Sequence, residues 1–258
     1  MSSCKVSRHG GSPSDMKSLR EEFSAVYAML KEMMVFDRNS LYKEYMEKIG
    51  YINLRIFILS VEVMELRLRY REIMKRRSRG ETPDIKAIET EVSDRLKSLK
   101  KLIDRNSSDL LVTMSSSNPD NEEINVLTEL LKQITSLAHP IFYAQTDFSS
   151  QAHDILVRAG AAYEQRDRAL LERLLGESRS LSLACHPGCS ESDAARIKDG
   201  IAGLHAEIEE KSLLFPLILR HRISNPIWTA EEVKYLEAEY SMLIEEKNDY
   251  RKKLSAFL

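Results

Sequence analysis

Ten apolar residues between Tyr42 and Ile73 recur at strictly alternating steps of three and four: Tyr42, Tyr45, Ile49, Ile52, Ile56, Leu59, Val63, Leu66, Tyr70 and Ile73. A strand repeats every two residues, so this run excludes β-structure and demands a helix. Its mean spacing of half a heptad is the a/d seam of a coiled coil. Leu54, Phe57, Ile58, Val61 and Met64 widen the stripe in the middle, which requires a second neighbour. Gly50 lies inside the helix and costs about 1 kcal/mol relative to Ala, so a local bend is expected there. Lys75-Arg76-Arg77-Ser78-Arg79 suits the negative end of the helix dipole, and Gly80 is the stop.

The other seams are placed around this one. Phe23, Val26, Tyr27, Leu30, Met33 and Met34 predict a helix from Asp15 that stops near Asp37-Arg38-Asn39-Ser40. Thr82-Pro83 reads as an N-cap followed by proline at the first helical position. The helix it opens, with Ile85, Ile88, Val92, Leu96, Leu99 and Ile103 on its buried face, is expected to return antiparallel along its predecessor. Ser115 to Asp120 is a linker, and Cys185 to Ser190 a second break. Beyond it, Ala194, Ile197, Ile201, Leu204 and Ile208 keep heptad spacing until Pro216 and Asn225-Pro226 interrupt. Thr229 and Glu232 have capping-box spacing. Val233, Leu236, Tyr240, Leu243, Tyr250, Leu254 and Phe257 resume the seam, with the polar Lys247 at one a position.

The chain therefore reads as all-α: two long antiparallel coiled-coil hairpins flanking a small helical module. The expected division is a flexible tail over residues 1–14, a helical hairpin over 15–117, the central module over 122–176 and a C-terminal hairpin over 190–258. Only 9 Gly and 7 Pro among 258 residues agree with this, and 43% hydrophobic residues suffice for a buried core. A formal net charge of −2 argues against a nucleic-acid binder. Three cysteines, Cys4, Cys185 and Cys189, make no disulfide framework and suit a reducing cytoplasm. The polar start lacks the apolar core of a secretory signal. The most apolar stretch, Tyr51 to Met64, is interrupted by Asn53, Arg55, Ser60 and Glu62 and falls short of the roughly 20 residues that span a bilayer.

The pattern changes between Glu122 and Leu175. Leu127, Leu130, Leu131, Ile134 and Leu137 make a short amphipathic helix that must end at Ala138-His139-Pro140, because proline disfavours helical geometry in the residue before it. After a loop, Ser149 is placed to cap a helix carrying Leu156, Ala159, Ala162 and Tyr163, whose small residues allow close approach. These residues resemble the J-domain of DnaJ-type co-chaperones, two antiparallel helices joined by a loop beginning His-Pro-Asp. Ala162-Tyr163-Glu164 falls where that family carries an Ala-Tyr-Glu run. Arg166-Asp167 with Leu170, Leu171 and Leu174 is similar to a group of J-like proteins that set such a module between coiled coils.

The resemblance implies a protein partner of Hsp70 type, met through Lys132, His139, Pro140 and Ile141, over a core of Leu130, Ile134, Leu156, Ala159, Ala162 and Tyr163. It also implies impaired stimulation of Hsp70. Ile141 stands where the aspartate is expected, and Lys132 is the only cation on a helix that is basic in active J-domains.

Other chemistry is weaker. Cys185-His186-Pro187-Gly188-Cys189 offers soft ligands but lacks the second pair a tetrahedral zinc site needs. His153, His205 and His221 show no ligand spacing, and no Gly-rich phosphate loop is present. The expectation is a non-catalytic interaction protein without cofactor, with homodimerisation through the coiled-coil helices as the alternative role.

Overall fold

A computed structural model of the chain describes residues 13–115, 120–144, 146–185 and 190–257. Helical backbone runs from Pro13 to Ser78 as α1 (Pro13–Glu32), a π-helical turn (Met33–Asp37), α2 (Arg38–Tyr45), a second π-helical turn (Met46–Gly50) and α3 (Tyr51–Ser78). There follow α4 (Ile85–Arg95), α5 (Lys97–Ser115), α6 (Asn121–Ala138), a 3-10 turn (Pro140–Phe142), α7 (Ser149–Glu164) and α8 (Arg168–Ala184). Then come α9 (Glu191–Ser212), a 3-10 turn (Leu217–Leu219), α10 (Arg220–Ile223) and α11 (Pro226–Ser255). No strand occurs among the described residues.

The stop expected at Asp37 to Ser40 does not form. Arg38 keeps helical geometry at φ −58° and ψ −44°, and Asn39 turns its amide back onto the Val35 carbonyl at 2.7 Å instead of capping a terminus. Phe36 and Leu41, both buried, hold the helix on either side. Two caps also move. Asp84, not Thr82, caps α4 by accepting from the Ala87 amide at 3.0 Å. Asn225 caps α11 by accepting from Ile227 and Trp228, with Pro226 at the first helical position, so Thr229 lies inside the helix and bonds back to the Asn225 carbonyl.

The chain groups into two units, residues 1–40 with 118–218 and residues 41–117 with 219–258. The linkers suggest a different grouping, with residues 15–117 and 190–258 each forming one hairpin. In the structure α1 and α9 belong to the unit that holds α6, and α11 belongs to the unit that holds α3. Of the expected tail, residues 1–12 lie outside the described residues, while Pro13 and Ser14 open α1. Residues 116–119 of the linker and 186–189 of the second break also lie outside them.

The first unit is centred on α6, which packs against α1, α7 and α8. Leu127, Leu131, Ile134 and Ala138 follow one another at helical spacing and are at most 1% exposed. Around them stand Phe23 and Val26 of α1, Ile155, Ala159 and Tyr163 of α7, Leu171 and Leu174 of α8, and Ile197 of α9. Each large side chain so enclosed contributes about 1.5–3 kcal/mol relative to exposure. The deep apolar position at the start of α7 is Ile155, 2% exposed, while Leu156 is only partly buried.

In the second unit, α3 has neighbours on two sides. Against α4 and α5, Arg76 meets Glu91 at 3.3 Å, Glu72 meets Arg95 at 3.5 Å and Glu65 meets Lys100 at 2.9 Å. The later residues of one side pair with the earlier of the other, so these helices run antiparallel. Against α11, Arg55 donates to the Tyr240 hydroxyl at 2.9 Å, Lys247 pairs with Glu62, and Tyr70 meets Tyr250 edge-on with centroids 6.0 Å apart. Here both sequences advance together, and the pair is parallel.

Candidate functional site at the His139-Pro140 loop

Proline ends α6 as its chemistry requires: His139 leaves the helix at φ −71° and ψ 131°, and its amide still donates to the Thr135 carbonyl. The imidazole then caps the 3-10 turn, with Nδ1 accepting the Ile141 amide at 3.2 Å. Tyr143, wholly buried, donates its hydroxyl to the Leu137 carbonyl at 2.6 Å and ties the far side of the turn to the last turn of α6.

Two helices close over the loop. From α1, Phe23 approaches the His139 ring at a centroid distance of 4.5 Å and Tyr27 at 5.5 Å, both edge-on, while Arg20 stands over the Phe142 ring. From α9, Arg196 Nε donates to the Ile141 carbonyl at 3.1 Å and its guanidinium also pairs with Asp193. Asp193 accepts from the amide and hydroxyl of Ser190 in a capping box. Burial alone would raise the Asp193 pKa, but the Ser190 hydrogen bonds and Arg196 outweigh it and hold the carboxyl below its usual value. Gly200 is where α9 comes closest: a Cβ there would stand 2.7 Å from Ile141 Cδ1 and 2.9 Å from Phe23 Cε2. Loop, α1 and α9 thus meet at one point.

This enclosure sets the chemistry of His139. Desolvation lowers its pKa from 6.5 to about 4, so the ring is neutral at neutral pH and serves as a hydrogen-bond acceptor. Of the positions marked by the sequence, the structure gathers His139, Pro140 and Ile141 against α1 and α9. Lys132 sits apart, half-exposed, 3.7 Å from Glu129. Ile134, Ala159, Ala162 and Tyr163 share the core, with Leu130 at its margin. Burial raises the Tyr163 pKa, and its hydroxyl shares a 2.8 Å hydrogen bond with Thr128.

Sequence reasoning missed Arg196 and Gly200 and assigned Phe23 and Tyr27 only to a helical stripe. Gly200 alone carried a signal, an isolated glycine within a helical repeat.

Among the described residues no group of three His, Cys, Asp or Glu side chains is arranged to hold a metal. Cys185 is partly buried, while His186 and Cys189 lie outside the described residues. No helix among the described residues is long and apolar enough to cross a membrane. In comparison with known proteins the chain matches no family model, no curated protein and no solved structure.

Proposed function

We propose that this chain is a non-catalytic protein-interaction protein whose first unit is J-like in build and impaired in Hsp70 stimulation. The observation that carries this reading is the enclosure of His139. A side chain that is to meet a partner must be free to reach it, yet this ring is wedged against Phe23 and Tyr27 and holds the Ile141 amide. Ile141 brings no charge to the loop, and the cation of Lys132 is offset by Glu129. On this reading the loop is a clasp for α1 and α9, and the protein works in the cytoplasm, as its sparse cysteines suggest. The test is an Hsp70 ATPase assay with the intact chain and with Ile141→Asp. Neither is expected to stimulate turnover. Stimulation by the unmodified chain would sink the proposal.

A second reading, a homodimeric coiled-coil scaffold, is favoured by α11. Ile227, Tyr235 and Met242 are each about 70% exposed, and spacings of eight and seven put them on one helical face. The heptad seams of α3 and α11 supply the scaffold in this account. Light scattering at high concentration decides it: a strict monomer excludes the scaffold, and a dimer abolished by Met242→Glu supports it.

A further inference from the structure

In the second unit, the end of α3, the start of α4 and the end of α11 line a cavity of about 180 Å³ that is open on one side. Leu66, Ile73, Ile85, Ile88, Leu254 and Phe257 supply its apolar wall. An apolar cavity of roughly 150 Å³ accepts benzene, so this volume suits a ring or chain of about six carbons.

The polar lining is asymmetric in charge. Arg69 and Arg251 both line the cavity against a single carboxylate, Glu89, which already accepts from Arg69 Nη1. Arg69 spends its other terminal nitrogen on Glu65, and its Nε is buried without an acceptor. Arg251 is exposed and has no carboxylate within ion-pair distance among the described residues. Arg77, which does not line the cavity, stands over the Phe257 ring that does, 4.4 Å from its centroid. An apolar body with a few convergent polar groups is the usual build of a small-molecule site, and guanidinium is matched in geometry to carboxylate.

We propose that this cavity binds an apolar monocarboxylate of about six carbons, its chain among Ile73, Ile85, Ile88 and Leu254 and its carboxylate against Arg251. Neither the Hsp70 question nor the loop at His139 bears on this site.

The experiment titrates hexanoate, hexan-1-ol and hexylamine into the full chain and follows the methyl NMR signals of Ile85, Ile88 and Leu254. Hexanoate is expected to bind about tenfold more tightly than hexan-1-ol, as one charge-assisted hydrogen bond allows, with hexylamine weakest. Arg251→Gln should bring hexanoate to the level of hexan-1-ol while leaving hexan-1-ol unchanged. Ser255→Phe, which fills the cavity from its exposed edge, should remove both. Both positions are exposed, so the fold tolerates the changes. Equal binding of hexanoate and hexan-1-ol, retention of the preference in Arg251→Gln, or no shift at the three residues would each overturn the proposal.

Discussion

In eighteen residues α6 buries Leu127, Leu131, Ile134, Thr135 and Ala138, whereas α11, with thirty, buries Leu236 among its described residues. The first helix is held by enclosure on several sides. The second lies along α3 through a narrow apolar seam, Ile52 and Ile56 against Leu236 and Leu243, rimmed by Arg55 over the Tyr240 ring at 4.4 Å, Lys247 with Glu62, and Arg67 with Glu246. Equal heptad regularity in a sequence therefore does not mean equal burial. A seam states that a partner exists, while the stability it yields depends on how many sides are covered.

The largest effect that would sharpen this contrast is a cavity at the centre of the first unit. Leu131→Ala should cost about 3–4 kcal/mol in urea unfolding, against about 1 kcal/mol for the partly buried Leu243→Ala on α11. Equal losses would break the comparison.

The loop offers a pH test of similar size. The folded state holds His139 neutral, so below its ordinary value of 6.5 the unfolded chain binds the proton first. Stability, full above that pH, falls as pH drops towards about 4, by at most about 3 kcal/mol. The difference in stability between the intact chain and His139→Asn should shrink over that window, and a constant difference would contradict the enclosure. Smaller again is Tyr143→Phe, which leaves the Leu137 carbonyl without its donor and should cost about 1–2 kcal/mol by thermal or urea unfolding. Least of all, Arg55→Ala should cost about 1 kcal/mol or less, and that loss should diminish in 1 M salt, because Arg55 stands on the exposed rim of the α11 seam.

The helical class was legible because alternating steps of three and four leave no other regular structure. So was the end of α6, fixed by the geometry that Pro140 imposes on His139. The pairing was not. Tyr240, Leu243 and Tyr250 announce a seam without naming its partner, and proximity in the chain suggested α9, which lies in the other unit. Propensity misjudged Asp37 to Ser40, since the buried Phe36 and Leu41 carry the helix through them. The J-like spacing to Ala159 and Ala162 points to Leu156 as core, but its neighbour Ile155 lies on the same face as Ala159 and Ala162 and takes the deep position. Arg196 was invisible because its partner is a backbone carbonyl, which every residue possesses.

The parallel pairing of α3 with α11 has a consequence in time. Arg55 and Tyr240 are 185 positions apart, so the wide stripe of α3 is synthesised long before the helix that covers one side of it. During translation at about 5–20 residues per second, that stripe waits on the order of ten seconds or more. Contacts of such separation also close late in folding, because loop entropy is lost before they form. The nascent second unit thus spends an interval as a half-covered apolar surface, and that interval, rather than the finished protein, is where aggregation competes with folding.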